Sequence, residues 1–179
     1  MNNDEEVQPR TSLVNRMIGA ARLDEDLYGE VAVDGSAIIQ AFVVVGLAAM
    51  ATRLSTGDIG FWSLIVAIPR LTGWWLAMTL IIYLLTSTIL RSSNGRPSWL
   101  ILARTMGFAQ SPLVLRGILI LPFIPSALWS LLFVGTLAWQ FAAIIVAVRL
   151  VIKSETTKAA VTVGIAFLPI QVIEPFLLR

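Results

Sequence analysis

The chain has no cysteine and no histidine, and charged side chains make up 13% of its 179 residues. The first absence excludes disulfides, thiolate metal sites, palmitoylation and prenylation. The second removes the usual ligand of zinc and haem iron and the commonest general base, so a Ser-His or Cys-His enzyme is impossible. Soluble domains carry ~25% charged residues, about twice the share found here, and that difference excludes an ordinary water-soluble core. A net charge of +2 with dispersed basic residues gives nucleic-acid binding no support. A secretory leader, basic and then at once apolar, is also missing, so the first apolar stretch is expected to be retained.

What is present is apolar. The sequence is 57% hydrophobic with a mean hydropathy of +0.83, and five long apolar stretches run over about 37–52, 71–90, 103–121, 126–148 and 159–178. A helix rises about 1.5 Å per residue, so ~20 residues cross a hydrocarbon core of ~30 Å. This pattern predicts an all-α fold, a polytopic membrane helix bundle of five transmembrane helices with an N-terminal amphipathic cytoplasmic helix. The expected organisation is a disordered tail over 1–10, the amphipathic helix and an acidic turn over 11–35, and the bundle over 36–179. The lipid bilayer is then the first partner, and no metal or cofactor is expected.

Val14, Met17, Ile18 and Ala21 share one helical face, with Arg10, Arg16 and Arg22 beside it. Two arrangements satisfy that pattern. The helix can rest in the headgroup plane with its guanidiniums on lipid phosphates, or pack on the bundle from the cytoplasm. The following cluster of Asp24, Glu25, Asp26, Glu30 and Asp34 lacks the spacing of a calcium loop and is expected to be a solvated face.

Within the apolar region, the piece over 59–68 is too short to cross and ends at Pro69-Arg70. It is expected to be interfacial, anchored by Trp62; the alternative is fusion to the second stretch. The third stretch is interrupted by Pro112, which should kink it. Gln40, Gln110, Gln140, Tyr83 and Arg116 could hydrogen-bond between helices, and Arg116, near a stretch end, is expected to snorkel outward. Trp74, Trp75 and Trp129 fall near the predicted outer boundary and Trp99 near the inner one, with Trp139 mid-span. Small-residue seams are expected at Ala138 with Ala142, Ala143 with Ala147, and Ala160 with Gly164.

Five spans separate the termini. Arg10, Arg16, Arg22, Arg91, Arg96, Arg104, Arg149, Lys153 and Lys158 then share one side, and Arg53, Arg70, Arg116 and Arg179 the other. The side richer in basic residues faces the cytoplasm, which places the amino terminus inside and the carboxy terminus outside a cytoplasmic membrane.

Asp26-Leu27-Tyr28-Gly29 precedes the first stretch, and Gly107-Phe108-Ala109-Gln110-Ser111-Pro112 lies in the third. In these two segments and in the layout of its stretches, over about 15–178, the chain resembles the Yip domain family, membrane proteins named for interacting with Ypt/Rab GTPases. Asp26–Gly29 matches the family's first motif, with Glu30 where the family continues with proline. Gly107 to Pro112 is similar to its second, with Phe108 in place of tyrosine. The resemblance implies five spans with a polar amino terminus inside. The long soluble region of eukaryotic members is absent, as in prokaryotic members, and GTPase binding is not carried over. On the residues themselves, Asp26–Gly29 reads as a cytoplasmic turn, with Tyr28 at the headgroups and Gly29 ending the N-terminal helix.

The expected function is non-enzymatic. The segment 16–34, with Arg16, Arg22, Asp26, Leu27, Tyr28 and Gly29 as binding candidates, offers a scaffold or adaptor surface to a protein partner or anionic lipid. The alternatives are a small-solute permease, with a polar path lined by Gln110, Arg116 and Gln140 along a third stretch shaped by the hinge candidates Gly107, Phe108 and Pro112, and an accessory subunit of a larger membrane complex.

Overall fold

The structure, a computed structural model, describes residues 12–57, 60–88 and 98–177, with side chains of 12–57, 60–87 and 98–167. The expected tail over 1–10, the turn over 92–97 and Arg179 lie outside these residues. Among the described residues all regular structure is helical: α1 Leu13–Ala21, α2 Glu25–Val33, α3 Ala37–Ser55, α4 Phe61–Thr88, α5 Trp99–Phe108, α6 Ser111–Val114, α7 Ser126–Ile152 and α8 Thr156–Leu177. A 3-10 segment, Leu115–Ile120, follows α6. Among the described residues three helices, α3, α4 and α7, are long and apolar enough to cross a membrane.

Ring contacts and hydrogen bonds fix the helix directions. Phe42 of α3 meets Trp75 of α4 edge-on at 4.9 Å, and Phe141 of α7 meets Phe167 of α8 at 5.4 Å. The Trp129 indole, at the start of α7, donates to the Ser55 carbonyl at the end of α3 (3.1 Å). Both pairs of neighbours, and α3 with α7, therefore run antiparallel. The run from α5 through the 3-10 segment lies parallel to α3, because Gly107 faces Ala41 and Gly117 faces Ala51.

Helix α4 corrects one expectation. It continues through Pro69, so 59–68 is not a separate interfacial piece but, from Phe61 onward, the first part of α4. Ile59 lies outside the described residues. A proline removes one backbone donor and crowds the preceding turn. Here that is a single bond in a 28-residue helix, and Pro69 and Arg70 lie on its exposed side, where the ring displaces no neighbour.

Helix α5 is the centre of the bundle: every residue from 102 to 113 is buried. The kink expected at Pro112 is a full break just before it. α5 stops at Phe108, and Pro112 falls in the first turn of α6, where its missing N–H has no helical acceptor. A Cβ at Gly107 would lie 2.6 Å from the Ala41 Cβ and 3.2 Å from the Trp75 ring, so glycine alone lets α5 approach α3 this closely. Trp75 is accordingly a core residue rather than a boundary anchor. Of the expected seams, Ala143 and Ala147 are buried, but Ala138 is exposed and Gly164 has no neighbour near a would-be Cβ.

Candidate functional site

The N-terminal candidates sit on a tight helical hairpin. Ser12 caps α1 by accepting the Asn15 N–H (3.3 Å). At the other end Leu23 takes a left-handed conformation (φ 62°). Its N–H bonds the Ala20 carbonyl and that of Asp24 bonds Gly19, both at 3.1 Å, which closes α1 and reverses the chain. The Asp24 carboxylate then accepts the Asp26 N–H (3.0 Å) and starts α2, whose first turn carries Glu25 and Asp26 against the positive helix end.

Asp26-Leu27-Tyr28-Gly29 is therefore the first half of α2, not a turn that ends α1. Leu23 supplies the stop that Gly29 was expected to give. Gly29 lies mid-helix with open space around it. Leu27 packs on Gly19, and Tyr28 is fully buried with its hydroxyl donating to the Ala20 carbonyl (3.3 Å), away from any headgroup. Burial pushes the Tyr28 phenol far up, so it stays a neutral donor.

Arg16 is likewise turned inward, 1% exposed, rather than lying on lipid phosphates. Its Nε and Nη2 donate to Glu30 Oε1 (3.2 and 2.7 Å), Nη2 also to Asp34 Oδ2 (2.7 Å), and Nη1 to Gln40 Oε1 (2.9 Å). The planar fork of donors matches acceptors on α2, on the residue that follows it and on α3 at once, and this is the physical reason for the inward position. Burial opposes the charge on Arg16, but hydrogen bonds and charge from Asp34 and Glu30 outweigh it and hold its pKa above the ordinary value. Hydrogen bonds from Ser36 and then Arg16 hold the Asp34 carboxyl down to about 2.

The acidic cluster thus divides. Glu30 and Asp34 bind Arg16, Glu25 pairs with Arg149 of α7, and Asp24 and Asp26 stay exposed beside Arg22. Among the described residues no group of three or more His, Cys, Asp or Glu is placed to hold a metal ion.

The intramembrane candidates form a second cluster between the α5–α6 break and α7. Gln110 and Gln140 are both buried; the Gln140 amide donates to Gln110 Oε1, and the Gln110 amide donates to the Met106 carbonyl (3.3 Å). Arg116 does not snorkel. In a 3-10 segment residues three apart eclipse, and this winding sets Arg116 and Leu119 inside with Leu115 and Ile118 outside. Its Nε donates to Thr136 Oγ1 (2.9 Å), Nη2 to the Phe133 carbonyl (3.2 Å), and the guanidinium carbon lies 4.0 Å from the Phe133 ring centre. Phe108 and Pro112 are buried core around this cluster.

Both clusters fasten helices: the first joins α1, α2 and α3, the second joins the 3-10 segment and the α6 entry to α7. Glu30 and Asp34 as partners of Arg16, and Thr136 and Phe133 as partners of Arg116, were not readable from local spacing, because the pairs lie 14, 18, 20 and 17 residues apart. A third buried guanidinium, Arg104, donates through Nε to the Leu100 carbonyl (3.1 Å) and has no hydrogen-bond partner at Nη1 among the described residues. Comparison with known proteins finds no matching family model, curated protein or solved structure.

Proposed function

We propose that this chain is a non-enzymatic, multi-pass membrane scaffold of the Yip type, and that it presents the α1–α2 link to a protein partner or anionic lipid on the cytoplasmic side. In this reading the chain crosses a cytoplasmic membrane five times, by α3, α4, the run from α5 through the 3-10 segment, α7 and α8, with the amino terminus inside. The observation that carries the reading is a contrast within 22–28. The side chains of Arg22 and Asp26 are exposed and make no bond among the described residues, whereas Leu27 and Tyr28 beside them are buried and Glu25 is tied to Arg149. Charged groups held on a fixed base, with no internal bonds to lose, suit recognition. The helix that carries the first segment behind the family resemblance, α2, also packs against α5, which carries the start of the second.

The pairing of Gln110 with Gln140, and the internal partners of Arg116, favour packing over the permease alternative, because these polar groups are spent on one another. A photo-reactive side chain at Asp26, irradiated in native membranes, should give a protein or lipid adduct that mass spectrometry identifies. The same group at buried Tyr28 sets the background. No excess at Asp26 over Tyr28 removes the scaffold reading. Stoichiometric co-purification of one large assembly in mild detergent would instead favour the accessory-subunit alternative.

A further inference from the structure

Every carbonyl in the last turn of α1 is met from within the protein. Ile18 O accepts the Arg22 N–H (2.9 Å), Gly19 O that of Asp24 (3.1 Å), and Ala20 O both the Leu23 N–H (3.1 Å) and the Tyr28 hydroxyl (3.3 Å). Ala21 O accepts the indole N–H of Trp139 (2.7 Å). A helix end in water can leave such groups to solvent; a helix end in hydrocarbon cannot.

Trp139 fixes the depth. It is the middle residue of α7, whose 27 residues span about 40 Å, so it lies roughly 20 Å from either end. A hydrocarbon slab of ~30 Å placed anywhere along that helix covers its middle with about 10 Å to spare. An indole reaches less far than that margin, so a carbonyl bonded to it is below the boundary. The outer face of α1 agrees with this placement. Val14 and Ile18, one turn apart, are 61% and 46% exposed with Asn15 between them, while Arg16 on the opposite side is sealed against carboxylates beside the inward Leu13, Met17 and Ala20. A water-facing helix turns its charge outward instead.

We infer that the α1–α2 hairpin is set into the bilayer, with the Val14–Ile18 face of α1 against acyl chains and the charged link over 22–26 at headgroup level. The inference rests on α7 crossing the bilayer, as in the proposed function. It differs from a helix lying on the membrane surface, since protein contacts hold the hairpin at depth and Arg16 is not available to phosphates. The link is consistent with that level: Glu25 pairs with Arg149, close to the end of α7, while Ala21 is bonded nearer its middle.

Because the chain has no cysteine, single nitroxide labels at Val14→Cys, Ile18→Cys, Asp26→Cys and Val134→Cys report without background. Val134, 62% exposed on α7 and about 12 Å from its start, is the acyl-chain reference, and Asp26 is the aqueous one. In the full chain reconstituted into phospholipid vesicles, labels at 14 and 18 should collide readily with oxygen and several-fold less than Asp26 with a water-soluble nickel chelate. Nickel access at 14 and 18 equal to that at Asp26, with Val134 still protected, overturns this inference alone. Low access to both reagents at 14 and 18 puts a second copy on that face and overturns the assignment to acyl chains. Nickel access at Val134 means α7 does not cross, and both the inference and the reading beneath it fall.

Discussion

In the N-terminal hairpin Arg16 is met by two carboxylates and an amide, whereas between the 3-10 segment and α7 Arg116 is met by a hydroxyl, a carbonyl and a phenyl ring. Both guanidiniums are almost fully buried, and an arginine stays charged in either setting. The first region cancels the charge; the second spreads it over neutral dipoles. What separates them energetically is what remains when the arginine goes. Removing Arg16 strands two carboxylates, one of them Asp34 with an 18% exposed side chain. Removing Arg116 strands nothing charged, and the Thr136 hydroxyl still donates to the Phe133 carbonyl at 2.9 Å. Burial of an arginine therefore does not by itself say how much depends on it.

The largest expected effect follows directly. Arg16→Met should lower stability by about 3 kcal/mol, the low end of the ~3–5 kcal/mol range for breaking a buried pair, because Glu30 is 37% exposed and keeps some water. Thermal melting of the reconstituted protein reads this out. Arg16→Lys should fall between, keeping the charge and losing the fork. Adding Glu30→Gln and Asp34→Asn to Arg16→Met should recover part of the loss; if it deepens the loss instead, the carboxylates are not what Arg16 was balancing. The pH dependence has a definite sign. The Asp34 carboxyl sits at about 2 against an ordinary 3.8, so its contribution is full above 3.8 and disappears as pH falls through about 2. Arg16→Met should shrink that acid-side loss, leaving the share due to Ser36.

A smaller effect separates the two regions from the other side. Gly107 seats α5 against α3 just before the chain enters the Arg116 region, far in sequence from the Arg16 carboxylates. A methyl group there, 2.6 Å from the Ala41 Cβ, should cost about 1–3 kcal/mol as an overpacked core. Gly135→Ala on α7, where nothing lies within 4 Å, should be neutral or gain up to ~1 kcal/mol from helix propensity. Equal melting temperatures for Gly107→Ala and Gly135→Ala would mean that α5 is not clamped and that the Arg116 region floats.

The helical class and the long apolar helices α3, α4 and α7 were legible, because length and hydropathy are properties of a contiguous segment. An interruption near Pro112 was legible too, since proline acts on its own turn, though as a kink and not as the full break between Phe108 and Ser111. The faces of the helices were harder to read. The same apolar composition gives α7 an exposed side and gives 102–113 none, because burial on all sides depends on which neighbours arrive. Arg116 was expected outward from its place near a stretch end; it lies inside with Leu119, in a 3-10 winding that nothing in Leu115–Ile120 announces. Asp26–Gly29 was expected as a turn because it ends in glycine, yet the reversal uses Leu23 at positive φ, held by its packing against the core. Arg16 was one of three arginines beside an apolar face that fitted either lipid phosphates or packing on the bundle, and its real partners were visible as residues but not as neighbours.

The smallest effect tests the comparison most sharply. Arg116→Met should change stability by no more than about 1 kcal/mol, because an apolar chain of similar volume replaces a charge whose burial opposed it. The methionine sulfur can also rest on Phe133 where the guanidinium now lies. Arg116→Lys should be worse than Arg116→Met, since a lysine keeps the buried charge but cannot reach both the Thr136 hydroxyl and the Phe133 carbonyl in one plane. The expected order, lysine worse than methionine, is the reverse of that at Arg16. Melting curves of the four variants in one lipid composition measure the order directly. If Arg116→Met loses as much as Arg16→Met, an anion stands opposite Arg116 in the membrane, and the neutral node is in fact a paired one.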